Sequence, residues 1–356
     1  MGPKSQGPQI APNHWGSADL LIGEATCSIA LLNTGLQDLI QDYTELIYIW
    51  ARKVIPMRTV IVGGGILGLM ISRHVQGSVV VEKGEVGGNS AASLWTVVPN
   101  LCLDRREVCQ YGLKAYVTLS RTLGFQVEER RVIKVGAYPT EGVVLGREEL
   151  RVLEPSLEAR EATLVGKGVR IEGEEALKAL RDGVDVQGDE VIYVEEDGSG
   201  VRVVGRKSSY PGDYVVITAG FGSALLLERW GIKVDHLKGH VIRTGGSGLN
   251  SILLAEGRIA VEGKGGLVIG GDSIPSTDPS VDQGRVRETL EVLSRYLKVG
   301  EVREVRVGFR TVIEGPLLRR VGRVIIAGGY RFGIAAAPYI AREVRDELRK
   351  LELGVS

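Results

Sequence analysis

The stretch from Thr59 to Glu82 constrains the fold more than any other part of the chain. Thr59-Val60-Ile61-Val62 has the unbroken apolar pattern of a buried strand, and Gly63-Gly64-Gly65-Ile66-Leu67-Gly68 follows at once. A helical pattern then runs through Leu69-Met70-Ile71-Ser72-Arg73-His74-Val75, and a second strand, Val79-Val80-Val81, ends on Glu82. Strand, turn, helix and strand in this order give a G-x-G-x-x-G spacing its meaning. Gly63 permits the tight turn, Gly65 lets the backbone approach a pyrophosphate, and Gly68 lets helix and strand pack closely. The helix start at Ile66 and Leu67 presents unpaired N–H groups and a partial positive charge to phosphate. Glu82 lies 82 − 63 = 19 residues beyond the turn, where a carboxylate can accept hydrogen bonds from an adenosine ribose.

Those features do not separate NAD from FAD. Directly after the acid, Lys83-Gly84-Glu85-Val86-Gly87-Gly88-Asn89-Ser90-Ala91-Ala92-Ser93 forms a second loop of small residues. On its own it also reads as an ordinary connection. An NAD site has no need of it, whereas the ribityl chain of a flavin dinucleotide continues past the first loop and demands close backbone approach.

Composition narrows the partners. The 356 residues suggest about two domains. Lys+Arg 44 against Asp+Glu 44 leaves no electrostatic footprint for nucleic acid or an anionic membrane. Glycine, 49 of the residues, is about twice its usual share, which implies many tight turns and close backbone approaches to something bound. Cys27, Cys102 and Cys109 make no disulfide framework and no C-x-x-C pair, so a reducing cytoplasm is expected. His236 and His240, four apart without a helical apolar pattern, read as ordinary polar loop residues, and no metal is expected. Few Cys and Met beside abundant Val, Arg and Glu hint at a thermophilic source. Residues 1–56 read differently from the rest: a Pro/Gly-rich opening, then Leu36, Leu39, Ile40, Tyr43 and Ile47 at helical spacing, with no stretch long enough to span a bilayer and no signal-peptide pattern. A start codon placed too far upstream explains that segment as well as any function does.

From about Thr59 to Val344 the sequence resembles the FAD-dependent D-amino-acid oxidase superfamily, and within it the glycine oxidases. The resemblance is carried by the two glycine loops and by Glu148-Glu149-Leu150 through Glu154-Pro155-Ser156-Leu157. It continues through the Glu174 to Leu180 helix, the Asp189 to Gly198 strand and the Tyr214-Val215-Val216-Ile217-Thr218-Ala219-Gly220 strand. Near the C-terminus, Val307-Gly308-Phe309-Arg310 and Glu314-Gly315-Pro316-Leu317 resemble a further signature. The strand Arg323-Val324-Ile325-Ile326-Ala327 then runs into Gly328-Gly329-Tyr330-Arg331-Phe332-Gly333-Ile334-Ala335-Ala336-Ala337-Pro338. A strand ending in glycines before a helix start directs free N–H groups at an acceptor. In the family that acceptor is the flavin ring, whose O2 side becomes anionic on reduction.

The resemblance implies a Rossmann-like FAD-binding domain interleaved with a smaller α+β substrate domain of mostly antiparallel sheet. The FAD region would take 57–100, 146–228 and 318–356, and the substrate region 101–145 and 229–317. It implies FAD contacts at Lys83, Ser90, Ala91, Trp95, Thr96, Val97, Val191 and Gly220, and along Gly329 to Ala335. Arg310 and Arg331 occupy positions whose counterparts contact a substrate carboxylate, for which a planar guanidinium fork is suited as Lys is not. No catalytic His, Ser or Cys is required, because the flavin does the hard part. The expected reaction is hydride transfer from the α-carbon of a small amino acid to flavin N5, giving an imine that hydrolyses. The electron acceptor would be O2 or another redox carrier, and oligomers are compatible with the sequence.

The chain also departs from the family pattern. Thr311 replaces a proline, Gly329 a histidine, Leu94-Trp95-Thr96 a run of small residues, and Gly222 stands near the place of a tryptophan. Counting back from Gly266-Leu267-Val268-Ile269-Gly270, the substrate-holding tyrosine of many members corresponds to Arg258. If Arg258 reaches the pocket, the substrate carries a second acidic group or binds differently; if it points outward, it is a charged strand residue, the reading slightly favoured. A non-catalytic or electron-relay FAD-binding subunit, and a flavin enzyme acting on a 2-hydroxy acid, remain alternatives. In the last helix Ile340, Val344, Leu348 and Leu351 make a core stripe with Arg342–Asp346 and Asp346–Lys350 pairs outside.

Overall fold

A computed structural model describes residues 57–136 and 141–354; the helical stripe expected between Leu36 and Ile47 lies outside them. Thr59–Val62 sits inside a six-stranded sheet in the order Leu318–Val321, Val324–Ala327, Tyr214–Ile217, Thr59–Val62, Val79–Glu82, Asp185–Gly188. Neighbours are parallel except at the Leu318–Val321 edge. Ile61, Val80, Val216 and Ile325 pack with residues of the helices Ile66–His74 and Gly333–Glu352. Val60, Val62, Val81, Val215 and Ile217 face the other way, onto Val194 and Val203 of a three-stranded antiparallel sheet. Burial on both faces is why these strands read as apolar runs rather than alternations.

The Gly333–Glu352 helix buries Ile340, Val344 and Leu348, with Leu351 packed beside them. The expected outer pairs do not form as such. Asp346 takes Arg345 at 2.8 Å, while Arg342 reaches Glu343 at 3.1 Å. The reason is aromatic: the Arg342 guanidinium lies over the rings of Tyr111 and Tyr339, 4.4 and 4.9 Å from their centroids. Pro338 stands inside the helix and cannot donate to the Ile334 carbonyl. The hydroxyl of Tyr116, on the helix Arg106–Leu123, donates to that carbonyl instead, at 2.8 Å. The two helices cross so closely that a Cβ on Gly112 would collide with the Ala335 carbonyl.

The second large sheet runs Ile274–Pro275, Val234–Thr244, Gly266–Gly270, Arg258–Gly263, Ile252–Ala255, Val127–Val135, Ala162–Ile171, Thr96–Val97. Two more strands join it, Val302–Ile313 along Val234–Thr244 and Val143–Leu145 along Ala162–Ile171. It is antiparallel except between Ile252–Ala255 and Val127–Val135. One face carries Leu253, Ala260 and Ile269 against Val286 and Leu293 of the helix Gln283–Ser294. The other carries Val132, Ile252 and Val261, with Leu254, Ile259 and Val268 half-buried beside them.

Two expectations are corrected. His236 and His240 are strand residues, not loop residues, and His240 is buried. Cys102 and Cys109 form a disulfide, with Cα atoms 6.4 Å apart. Cys102 ends a 3-10 turn and Cys109 lies at the start of the Arg106–Leu123 helix, so the chain folds back and brings together two side chains that spacing alone did not couple. Among the described residues, no cluster could hold a metal ion and no helix is long and apolar enough to cross a membrane.

Candidate functional site

The ends of Thr59–Val62, Tyr214–Ile217 and Val324–Ala327 open onto a cavity of about 1170 Å³. Ligands in open α/β sheets bind at such carboxyl ends. The opposite wall is the face of the large sheet that carries Leu254 and Ile259.

At the first end, Gly63 has φ +108°, a conformation an L side chain rarely adopts, and a Cβ there would collide with the Thr218 backbone. Gly68 packs against the Gly63 carbonyl and does not line the cavity. In the first helical turn Leu69 N–H donates to the Gly65 carbonyl and Ile66 N–H to Ser90 Oγ, both at 3.0 Å. The amides of Leu67 and Gly68 are left without an intrahelical partner, as the first turn of any helix requires. Glu82 borders the cavity and accepts from Gly64 N–H at 2.7 Å and from Gly84 N–H at 2.9 Å. Each carboxylate oxygen keeps acceptor capacity beyond those bonds. Unpaired amides at a helix start and a fixed carboxylate beyond them suit a dinucleotide, phosphates at the first and ribose at the second.

Lys83, Ser90, Trp95, Thr96 and Gly220 line the same cavity, as does the whole segment from Gly329 to Ala335. Ala91, Val97 and Val191 do not. Val97 is part of the core, and Val191 lies half-buried in the three-stranded sheet. Trp95 has φ +52°, and this backbone turns its indole into the core against Gly173, which has no Cβ to obstruct it. Tyr330 is anchored outward, its hydroxyl donating to Asp104 at 2.9 Å. Burial, reinforced by that bond, pushes the phenol well above its ordinary pKa.

Arg310 projects from Val302–Ile313 into the cavity and is largely buried. Its Nη1 donates to the Asp272 carbonyl at 3.0 Å, and no carboxylate among the described residues ion-pairs with it. Burial lowers its pKa, and the nearby charge of Arg331 adds to the depression while Asp272 opposes it. Arg331 lines the cavity too; its guanidinium is 4.9 Å from the centroid of the Phe332 ring. The two guanidiniums therefore border one space.

Arg258 also borders the cavity, but its guanidinium is engaged by a neighbouring helix. Its Nε donates to Thr289 Oγ1 at 3.0 Å and its Nη2 to Glu288 at 2.8 Å, both on the Gln283–Ser294 helix. Register explains this: Arg258 pairs with Ala255, on the helix-covered face, and Ile259 pairs with Leu254, on the cavity face. The Arg258 guanidinium is thus held by the helix although the residue borders the cavity, and Ile259 lines the cavity beside it. Sequence reasoning also missed Asn89, which bonds both the amide and the carbonyl of Phe309 at 2.8 Å, and Phe221, stacked 4.3 Å from the Phe309 ring. The second small-residue loop was the only available signal for Asn89.

Residues 58–347 match the family model described as FAD dependent oxidoreductase. Among solved structures, the chain resembles glycine oxidase from Geobacillus kaustophilus (22% identity, 83% of this chain and 95% of that one, TM-score 0.72). It also resembles iminodiacetate oxidase from Chelativorans sp. BNC1 (20%, 84% and 96%, TM-score 0.69) and L-proline dehydrogenase from P. horikoshii (17%, 83% and 94%, TM-score 0.66). At these identities the likeness concerns the fold. No curated protein matches the sequence significantly.

Proposed function

From the premise that the chain belongs to the FAD-dependent oxidoreductase family, we propose that it oxidises the C–N bond of a small amino acid. The observation that carries this reading is Arg310: a largely buried guanidinium facing the cavity with no carboxylate of its own among the described residues. A substrate carboxylate would supply the missing anion, and a charge-assisted contact in a desolvated wall is strong and directional. Similar proteins whose names state an amino-acid or imino-acid substrate support the same choice.

The first glycine turn, the Ile66–His74 helix start and Glu82 would hold the adenosine diphosphate of FAD, with Gly328 to Ala335 against its ring. When bound, FAD supplies the acceptor for the hydride leaving the substrate α-carbon. Arg310 fixes the carboxylate, and Arg331 adds positive charge to the same space. The aliphatic wall at Val241, Leu254 and Ile259 excludes water from the reacting carbon. The imine product leaves and hydrolyses in water.

The test is anaerobic titration of the FAD-loaded protein with glycine, sarcosine, proline and a panel of D- and L-amino acids, followed at the visible flavin band. Bleaching by an amino acid is expected, and Arg310→Ala should lower the apparent second-order rate of bleaching roughly 100-fold while FAD stays bound. Bleaching by 2-hydroxy acids alone, or by nothing in either class, would overturn the reading.

A further inference from the structure

We propose that His240 and Asp272 act as positioning residues for Arg310, fixing the guanidinium in the pose that receives the substrate carboxylate. The inference rests on the assignment of Arg310 made above. Asp272 follows the Gly266–Gly270 strand, and His240 lies in Val234–Thr244; both are buried. One Asp272 carboxylate oxygen accepts the His240 backbone N–H at 2.8 Å, and the other meets His240 Nδ1 at 2.6 Å. His240 Nε2 in turn accepts the backbone N–H of Asp282 at 3.0 Å. That last bond requires an unprotonated Nε2, so Nδ1 carries the proton and donates to Asp272. Both imidazole nitrogens are thus satisfied. Asp282 itself caps the Gln283–Ser294 helix by accepting Arg285 N–H at 3.1 Å.

The chain of contacts runs from the helix cap through His240 and Asp272 to Arg310, because the Asp272 carbonyl is what Arg310 Nη1 holds. The other side of the guanidinium is fixed by Gly239, next to His240, where any Cβ would collide with Nη1. A long, flexible arginine thereby sits between one carbonyl and one bare stretch of backbone, both set by the same pair. The carboxylate of Asp272 does not ion-pair with Arg310, which leaves the guanidinium's charge for a ligand.

The two nitrogens of His240 can be tested separately. In His240→Asn the new amide nitrogen takes the place of Nδ1, which keeps the donor to Asp272 and loses the bond from Asp282. His240→Gln places its amide at the Nε2 position, keeps the bond from Asp282 and loses the donor to Asp272. Acetate is the probe, titrated at constant ionic strength against FAD-loaded protein and read by perturbation of the flavin spectrum, with thermal unfolding measured alongside. His240→Gln should weaken acetate about tenfold, and His240→Asn should stay within about twofold of the parent even if both unfold earlier. Equal weakening by the two variants would mean a merely structural role and overturn the inference. Unchanged binding in His240→Gln, with binding lost in Arg310→Ala, would overturn the positioning while leaving the clamp standing. Unchanged binding in Arg310→Ala would remove the clamp and, with it, the inference.

Discussion

Arg258 and Ile259 are adjacent in the chain and lie on opposite faces of a sheet. Side chains alternate along a strand, so a one-residue slip in register moves a functional assignment from cavity to surface helix. Spacing counted from a distant glycine run cannot resolve that step; the pairing of Arg258 with Ala255 and of Ile259 with Leu254 does. Arg258→Ala should accordingly leave the KM for the bleaching substrate within about twofold of the parent and lower stability by about 1–2 kcal/mol, since the pair with Glu288 and the bond to the buried Thr289 hydroxyl are both lost. Steady-state kinetics and denaturant unfolding check both halves, and a KM rise matching that of Arg310→Ala would show that the Arg258 guanidinium meets the substrate instead of staying on the helix. The legible site residues were those close together in sequence. Gly63, Gly65 to Leu67, Glu82 and the run from Gly328 to Ala335 line one cavity with Ser90 and Ala92 to Thr96, while Gly68 packs behind them. Illegible were groups joined over distance, such as His240 with Asp272, 32 residues apart, and Asn89 with Phe309, 220 apart.

At the scale of elements, the last helix was readable as an amphipathic stripe, but its proline was not explained until its neighbour was in place. Pro338 strips the Ile334 carbonyl of its helical donor, and the buried Tyr116 hydroxyl replaces it at 2.8 Å. Burial pushes the Tyr116 phenol far above its ordinary pKa, which favours the protonated, donating hydroxyl. Tyr116→Phe keeps the packing and removes only the donor. It should cost about 1–2 kcal/mol in denaturant unfolding, because a buried carbonyl is then left unsatisfied. An unchanged midpoint and slope would show that the carbonyl finds another partner. The helix Ile66–His74, which starts at the glycine turn, packs on the same core, so the Tyr116 contact supports the glycine segment from behind rather than touching the cavity.

The whole molecule divides into what apolar patterning specifies and what chain reversal specifies. The four inner strands of the six-stranded sheet were legible because burial on both faces writes continuous Val/Ile runs into the sequence, whereas the more exposed edge strands Leu318–Val321 and Asp185–Gly188 carry no such run. The adjacency of Thr59–Val62 and Val79–Glu82 followed from the crossover helix between them. The Cys102–Cys109 bond was not legible: a separation of 7 carries no signature, and the turn that closes it has no strong sequence marker beyond Pro99. The bond fixes the segment that presents Asp104 to Tyr330 and Arg105 to the Gly315 carbonyl, at 2.9 and 2.7 Å, beside the cavity segment that begins at Gly328. Cross-linking so short a loop restricts the unfolded chain by an amount worth about 2–3 kcal/mol. Thiol titration of the air-purified protein in denaturant should therefore find 3 − 2 = 1 reactive cysteine, Cys27, and three after full reduction. The reduced protein should also unfold at lower denaturant than the oxidised one. Three thiols before any reductant is added would show that the two cysteines pack side by side as thiols, and the pocket rim would then owe its position to the Tyr330 and Gly315 contacts alone.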